Sequence, residues 1–123
     1  MVKIINGKAL ADEIKAQVVK EIITLGGNKA DQSNRPNLAI ILVGDREDSK
    51  LYVRLKEKEA KKVGIDTHIY RCSADIAEEK IFETINYLNH DNLIDAILVQ
   101  LPVPSGFDTD GIIGAIDPAK DVD

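Results

Sequence analysis

The chain has 123 residues, 44% hydrophobic and 30% charged, with a formal net charge of -5. Those values describe one soluble globular domain with a single core, and exclude a disordered or fibrous chain. The acidic balance argues against nucleic acid as the main partner, because phosphate contacts need a basic face and none stands out.

Cys72 is the only cysteine, so neither an internal disulfide nor a cysteine metal cluster can form. No apolar run approaches the roughly 18 residues of a membrane span. Met1 is followed by Val-Lys-Ile-Ile-Asn-Gly rather than the apolar core of a signal peptide. A cytoplasmic protein with no membrane partner is therefore expected.

Val2 to Ile5 is β-prone and Asn6-Gly7 ends it with a turn signal. From Lys8 to Leu25, residues Leu10, Ile14, Val18, Ile22 and Leu25 recur every three or four positions. That spacing predicts a helix with one apolar stripe, stopped by Gly26-Gly27-Asn28. The polar stretch from Asn28 to Asn37 reads as an exposed loop or a frayed helix end. Leu38-Ala39-Ile40-Ile41-Leu42-Val43 shows no alternation and is bounded by Pro36 and Gly44. A strand buried on both faces looks like this, which predicts a parallel sheet covered by helices.

A short polar loop then leads into a second helix closed by Gly64. At about 100° per residue, Leu51, Tyr52, Leu55, Ala60 and Val63 share one arc, expected to face inward, and Lys56 falls inside it. Lys50, Arg54, Lys58 and Lys61 project from the other side. Asp66 to Cys72 reads as a less apolar strand nearer an edge. Asp75 to His90 reads as a helix with a cap at Ser73 and an inner side of Ile76, Ile81, Ile85 and Leu88.

Ile94 to Leu101 is a further buried strand, ended by Pro102-Val103-Pro104. One short helix is expected within Phe107–Ile116, followed by a polar tail from Asp117 to Asp123. The alternation of strands and helices predicts a single α/β domain over 1–123, three-layered, with a mainly parallel sheet flanked by helices. Neither Gly26-Gly27 nor Gly111 with Gly114 has the spacing of a dinucleotide or P-loop phosphate turn.

Ligands of parallel sheets gather at the carboxyl ends of strands. Two strands end at Val43-Gly44 and at Val99-Gln100, so Ser49, Tyr52 and Lys56 on the intervening helix are expected beside Gln100. An ammonium partly removed from water gives up its proton more readily, which suits Lys56 to proton transfer. Tyr52 could stack on a flat ligand, and Gln100 could hold the lysine by hydrogen bond. Equally, Lys56 could lay its stem on apolar surface and keep its charge in water. His68 and His90 read as surface or capping residues, Cys72 as a small buried residue, and Asp117, Asp121 and Asp123 as solvated acids, so no metal site is expected.

The stretch Val43-Gly44-Asp45, Ser49, Tyr52-Val53, Lys56 with Lys58, and Val63-Gly64-Ile65 resembles the first signature of the bifunctional methylenetetrahydrofolate dehydrogenase/cyclohydrolase family. Leu98-Val99-Gln100-Leu101-Pro102-Val103-Pro104 and Pro118-Ala119-Lys120-Asp121-Val122-Asp123 resemble two more of its motifs, in the right order. The resemblance runs from Gly7-Lys8 to Asp123. It implies the amino-terminal folate-binding domain, similar in build to that of amino-acid dehydrogenases. A Rossmann domain for NADP, or NAD in some members, would follow residue 123, so this fragment would bind no cofactor and would lack dehydrogenase activity alone. Full-length members would be homodimers.

Carried over by position, the resemblance makes Lys56 the catalytic lysine, supported by Gln100, and Tyr52 the residue packing on the folate rings. Ser49, Leu101 and Pro102 would shape the substrate pocket and Asp123 would bind the pterin end. Three positions depart from the usual pattern: Asp48 and Glu59 stand where alanine is common, and Gly106 where histidine is. Glu59, three residues from Lys56, is expected to point past it rather than pair with it. A non-catalytic folate- or pterin-binding module, or the substrate domain of another dehydrogenase, are the rival readings. The latter predicts no affinity for folates.

Overall fold

The structure, a computed structural model, describes residues 2–26 and 35–123. Its strands β1 (Asn37–Val43), β2 (Asp66–Cys72) and β3 (Ala96–Val99) pair in parallel in the order β2-β1-β3. Ile40 lies opposite Ile69 on one side and Leu98 on the other. The helices are α1 (Gly7–Thr24), α2 (Glu47–Val63), α3 (Glu78–His90) and α4 (Thr109–Gly114). This is the three-layer α/β domain expected, with β2 at an edge.

The unbroken apolar run of β1 serves two cores at once. Ala39, Ile41 and Val43 pack with Ile81, Ile85 and Leu88 of α3 and Ile112 of α4, together with Ile97 and Val99. Ile40 and Leu42 point the other way, against Val53 of α2 and Leu98. From Ala39 to Val43 no residue is more than 4% exposed. Each such side chain contributes about 1.5–3 kcal/mol by leaving water, so alternation along β1 would have left one layer unanchored.

Several expectations are corrected. Val2–Ile5 joins no strand, and Val2, Ile4 and Ile5 are exposed; without a neighbouring ladder a β-prone segment does not hold strand geometry. Within α1 only Ile22 is buried, while Leu10, Ile14 and Leu25 of the supposed inner stripe are exposed. The helix packs on α2 rather than on the sheet, so a single line of residues suffices. Of the stretch expected as loop or frayed helix from Asn28 to Asn37, residues 28–34 fall outside the described residues, and Asn37 already opens β1.

The third helix begins at Glu78, not Asp75, because the Ser73 hydroxyl donates to the Asp75 carboxylate instead of capping the helix. Ile76 still packs against the core. β3 is shorter than Ile94–Leu101, since only Ala96–Val99 pair with β1.

The tail is not simply solvated. Asp121 forms a parallel bridge with Ile97, whose N–H donates to the Lys120 carbonyl at 2.8 Å. The Lys120 ammonium donates to the carbonyls of Leu88 (2.8 Å) and Asp91 (2.9 Å) at the end of α3. A cation at those carbonyls, at the C-terminal end of α3, complements the helix dipole. Asn89 completes the stitch, donating to the Ala115 carbonyl and accepting from the Asp117 N–H, both at 2.9 Å.

Candidate active site

The site is built where β1 and β3 end. Gly44 follows β1 at φ +94, and a β-carbon there would lie 3.3 Å from Cγ of Pro104. Only glycine tolerates both that backbone and that approach, so the β1–α2 turn can press against the loop after β3. α2 then runs back along the sheet. Glu47 and Asp48 occupy its first turn, Lys61 and Lys62 its last, and Gly64 caps it in the left-handed conformation at φ +98.

The face of α2 turned to the sheet is Ser49, Val53 and Ala60, with Lys56 half-buried between them. Leu51, Tyr52 and Leu55, expected inward, are 46–55% exposed. The helix is rotated by about a quarter turn from the face that hydrophobicity alone selects, because small residues let it approach β1 closely. Lys56 lies where the expected and observed arcs overlap.

Lys56 Nζ donates to Gln100 Oε1 at 2.7 Å. Gln100 is 8% exposed; its N–H donates to Ile41 O at 2.9 Å and its amide Nε2 to Leu101 O at 3.1 Å. The amide is thus oriented before it meets the lysine. Ser49 lies on the same face of α2 at 2% exposure, and its Oγ has no hydrogen-bond partner among the described residues. Leaving such a hydroxyl unpaired costs about 1–3 kcal/mol, which marks Ser49 as a candidate contact for a bound group.

Tyr52, one turn before Lys56 on α2, and Leu101 and Pro102, next to Gln100 in the chain, are exposed and give the pair an open shelf; Asp123 is exposed as well. The Asp121–Ile97 bridge lays the tail parallel to β3 at that point, and the Asp123 N–H beyond it donates to Asp121 Oδ1 at 3.3 Å. Lys120 and Asn89, which hold that tail, have no signal in helical or strand periodicity. The Pro118–Asp123 motif contains Lys120 but not Asn89.

Glu59 turns away from Lys56. It accepts from Lys15 of α1 at 2.6 Å and from Lys62 at 3.2 Å, and Lys15 first, then Lys62, lowers its pKa. Glu59→Ala is expected to loosen α1 from α2 slightly, an effect that vanishes in high salt. The chemistry at Lys56 should not change; higher activity in the Glu59→Ala variant would contradict this placement.

Asp48 is paired with Arg46, whose Nε and Nη2 reach its two oxygens at 2.9 and 2.7 Å. That hydrogen-bonded guanidinium lowers Asp48 to about 2 from an ordinary 3.8. A depressed carboxylate stabilises the fold above its ordinary pKa, and the contribution fades as pH falls from 3.8 toward 2. An NMR titration of Asp48 should find its midpoint near 2, and Arg46→Gln should return it to the usual carboxylate range. Gly106, at φ +97, has open space around it; backbone conformation rather than crowding disfavours a side chain there.

His68 meets Asn37 Oδ1 at 2.9 Å and His90 meets Asn86 O at 2.8 Å, both on the surface. Cys72 is half-buried, and burial raises its thiol pKa. No cluster of three metal-ligating side chains occurs among the described residues, and no helix there is long and apolar enough to cross a membrane.

The family profile described as tetrahydrofolate dehydrogenase/cyclohydrolase, catalytic domain, matches residues 5–123. The chain belongs to this family. The bifunctional protein FolD of Rickettsia akari is 46% identical over 123 residues, all of this chain and 41% of that protein. A 5,10-methylenetetrahydrofolate dehydrogenase from the silkworm Bombyx mori superposes with a TM-score of 0.86 at 42% identity, covering 98% of this chain and 41% of that one. The Trypanosoma brucei methylenetetrahydrofolate dehydrogenase-cyclohydrolase, solved with NADP and an inhibitor, gives a TM-score of 0.84 at 31% identity, covering 98% and 40%. The chain therefore spans about two-fifths of the length of these relatives.

Proposed function

We propose that this chain is the folate-binding catalytic domain of a cytoplasmic, bifunctional methylenetetrahydrofolate dehydrogenase/cyclohydrolase of one-carbon metabolism. The whole protein would oxidise 5,10-methylenetetrahydrofolate to 5,10-methenyltetrahydrofolate and hydrolyse the latter to 10-formyltetrahydrofolate. The observation that supports this most is the 2.7 Å bond by which a buried, pre-oriented Gln100 holds Lys56 on the strand-end edge where α/β domains bind ligands.

On this proposal Tyr52 stacks on the folate rings, Asp123 binds the pterin end, and Ser49, Leu101 and Pro102 bound the pocket. In the hydrolytic step water bonds to the methenyl carbon, the bond from that carbon to N5 breaks, and one proton is released. Lys56 moves that proton at Nζ while Gln100 keeps the ammonium from swinging into solvent.

The residues here do not fit a dinucleotide. The β1–α2 turn has a single glycine and lacks the glycine spacing that lets a backbone approach a pyrophosphate. NADP, or NAD, is assigned instead to a Rossmann domain outside this chain, in a protein proposed to be a homodimer. Hydrolysis of methenyltetrahydrofolate by Lys56→Met beside the wild type tests the assignment. Folate binding without hydrolysis in the wild type would favour the non-catalytic module.

A further inference from the structure

Beyond the shelf around Lys56, the same edge of the sheet carries a second concavity, of about 720 Å³, where β1 and β2 end. Lys50, Arg54 and Arg71 line it against one carboxylate, Asp45, over a floor that includes Leu42 and Ala74. Asp45 is engaged by Lys50, which also lies 3.5 Å from Glu47. Arg54 and Arg71 have no ion-pair or hydrogen-bond partner among the described residues. In a chain whose formal net charge is -5, this hollow carries an excess of two positive charges, three cations against one acid.

We infer that this concavity is a binding site for a phosphate monoester, held by the guanidinium groups of Arg54 and Arg71. Guanidinium forks match phosphate oxygens two at a time, which a lysine alone cannot do. Burial keeps the neighbouring Cys72 as an uncharged thiol, so it adds no competing anion. The volume, within the roughly 300–1,000 Å³ of small-molecule pockets, is far more than a bare phosphate needs. The organic part of the ester would cover Leu42 and Ala74. On α2, Lys50 and Arg54 leave by the flank toward β2, each about 160° around the helix axis from Tyr52, so the site is separate from the shelf.

Titrating the 123-residue chain with phenyl phosphate at constant ionic strength, followed by amide NMR, tests the inference. Saturable shifts are expected at Arg54, Arg71, Ser73 and Ala74, with a Kd in the millimolar range or below, on the order of -4 kcal/mol. Arg54→Gln and Arg71→Gln should each weaken binding about fivefold or more while leaving the other resonances in place, since exposed substitutions change stability little. No saturation up to about 20 mM, or binding that survives both substitutions, would overturn it. Inorganic phosphate binding as tightly as the ester would overturn the ester assignment in favour of the free ion. Equal binding of glutarate would overturn the preference for phosphate over carboxylate.

Discussion

Lys56→Met is expected to bring hydrolysis of methenyltetrahydrofolate down to the rate in buffer. A positioned proton-transfer group contributes about 10²–10⁴-fold; the Gln100 amide is not a base, and Glu59 is turned toward Lys15 and Lys62. Methionine keeps an unbranched apolar stem, so the packing of α2 on β1 should survive. The local cost is Gln100 Oε1, which loses its partner at about 1–3 kcal/mol. Two measurements separate chemistry from collapse. Folate binding, followed by fluorescence of the ligand, should persist in the variant, and the melting midpoint should fall by about 4–12 °C. The same assay with NADP added should show no dehydrogenase turnover in wild type or variant, as follows from the proposal that the dinucleotide binds a domain outside this chain. Hydrolysis by Lys56→Met at the wild-type rate would remove Lys56 from its proposed role.

The legible and illegible parts of this molecule divide along a physical line. β1 is legible because burial on both faces leaves a composition, Leu38 to Val43, that no half-exposed strand would carry. The order of elements follows from that, and so does the edge on which Lys56 meets Gln100. The face of α2 is not legible, because hydrophobicity says how much surface a helix can bury, not which neighbour it packs against. Ser49, Val53 and Ala60 win that surface by size, leaving Leu51, Tyr52 and Leu55 outside. For Tyr52 that outward placement is what a stacking platform needs. The tail escapes a sequence reading for another reason. Its order depends on Lys120 reaching the carbonyls of Leu88 and Asp91, contacts that span about thirty residues and leave no local pattern.

Ile97→Ala should be among the most damaging core substitutions, lowering stability by about 2–5 kcal/mol. Ile97 is fully buried between Ala39 of β1 and the tail, in the larger of the two cores. Alanine keeps the N–H, so the 2.8 Å bond to Lys120 O and the bridge to Asp121 remain available. The loss is therefore one of packed volume. In a domain of this size, total stability is about 5–15 kcal/mol, so the substitution removes a large fraction of it and should shift the melting midpoint by on the order of 10 °C. Leu93→Ala provides the contrast: Leu93 is 76% exposed, and its truncation should stay within about 0.5 kcal/mol. Ile97→Val, with one methylene fewer, should fall between them at about 0.5–1.5 kcal/mol. Below the new midpoint, folate affinity in Ile97→Ala should remain near the wild-type value, because the backbone bridge to Asp121 is untouched. A loss of under about 1 kcal/mol would mean that β3 is not packed as described. A loss of affinity in the still-folded variant would mean that the Ile97 side chain, and not only its backbone, sets the position of the tail.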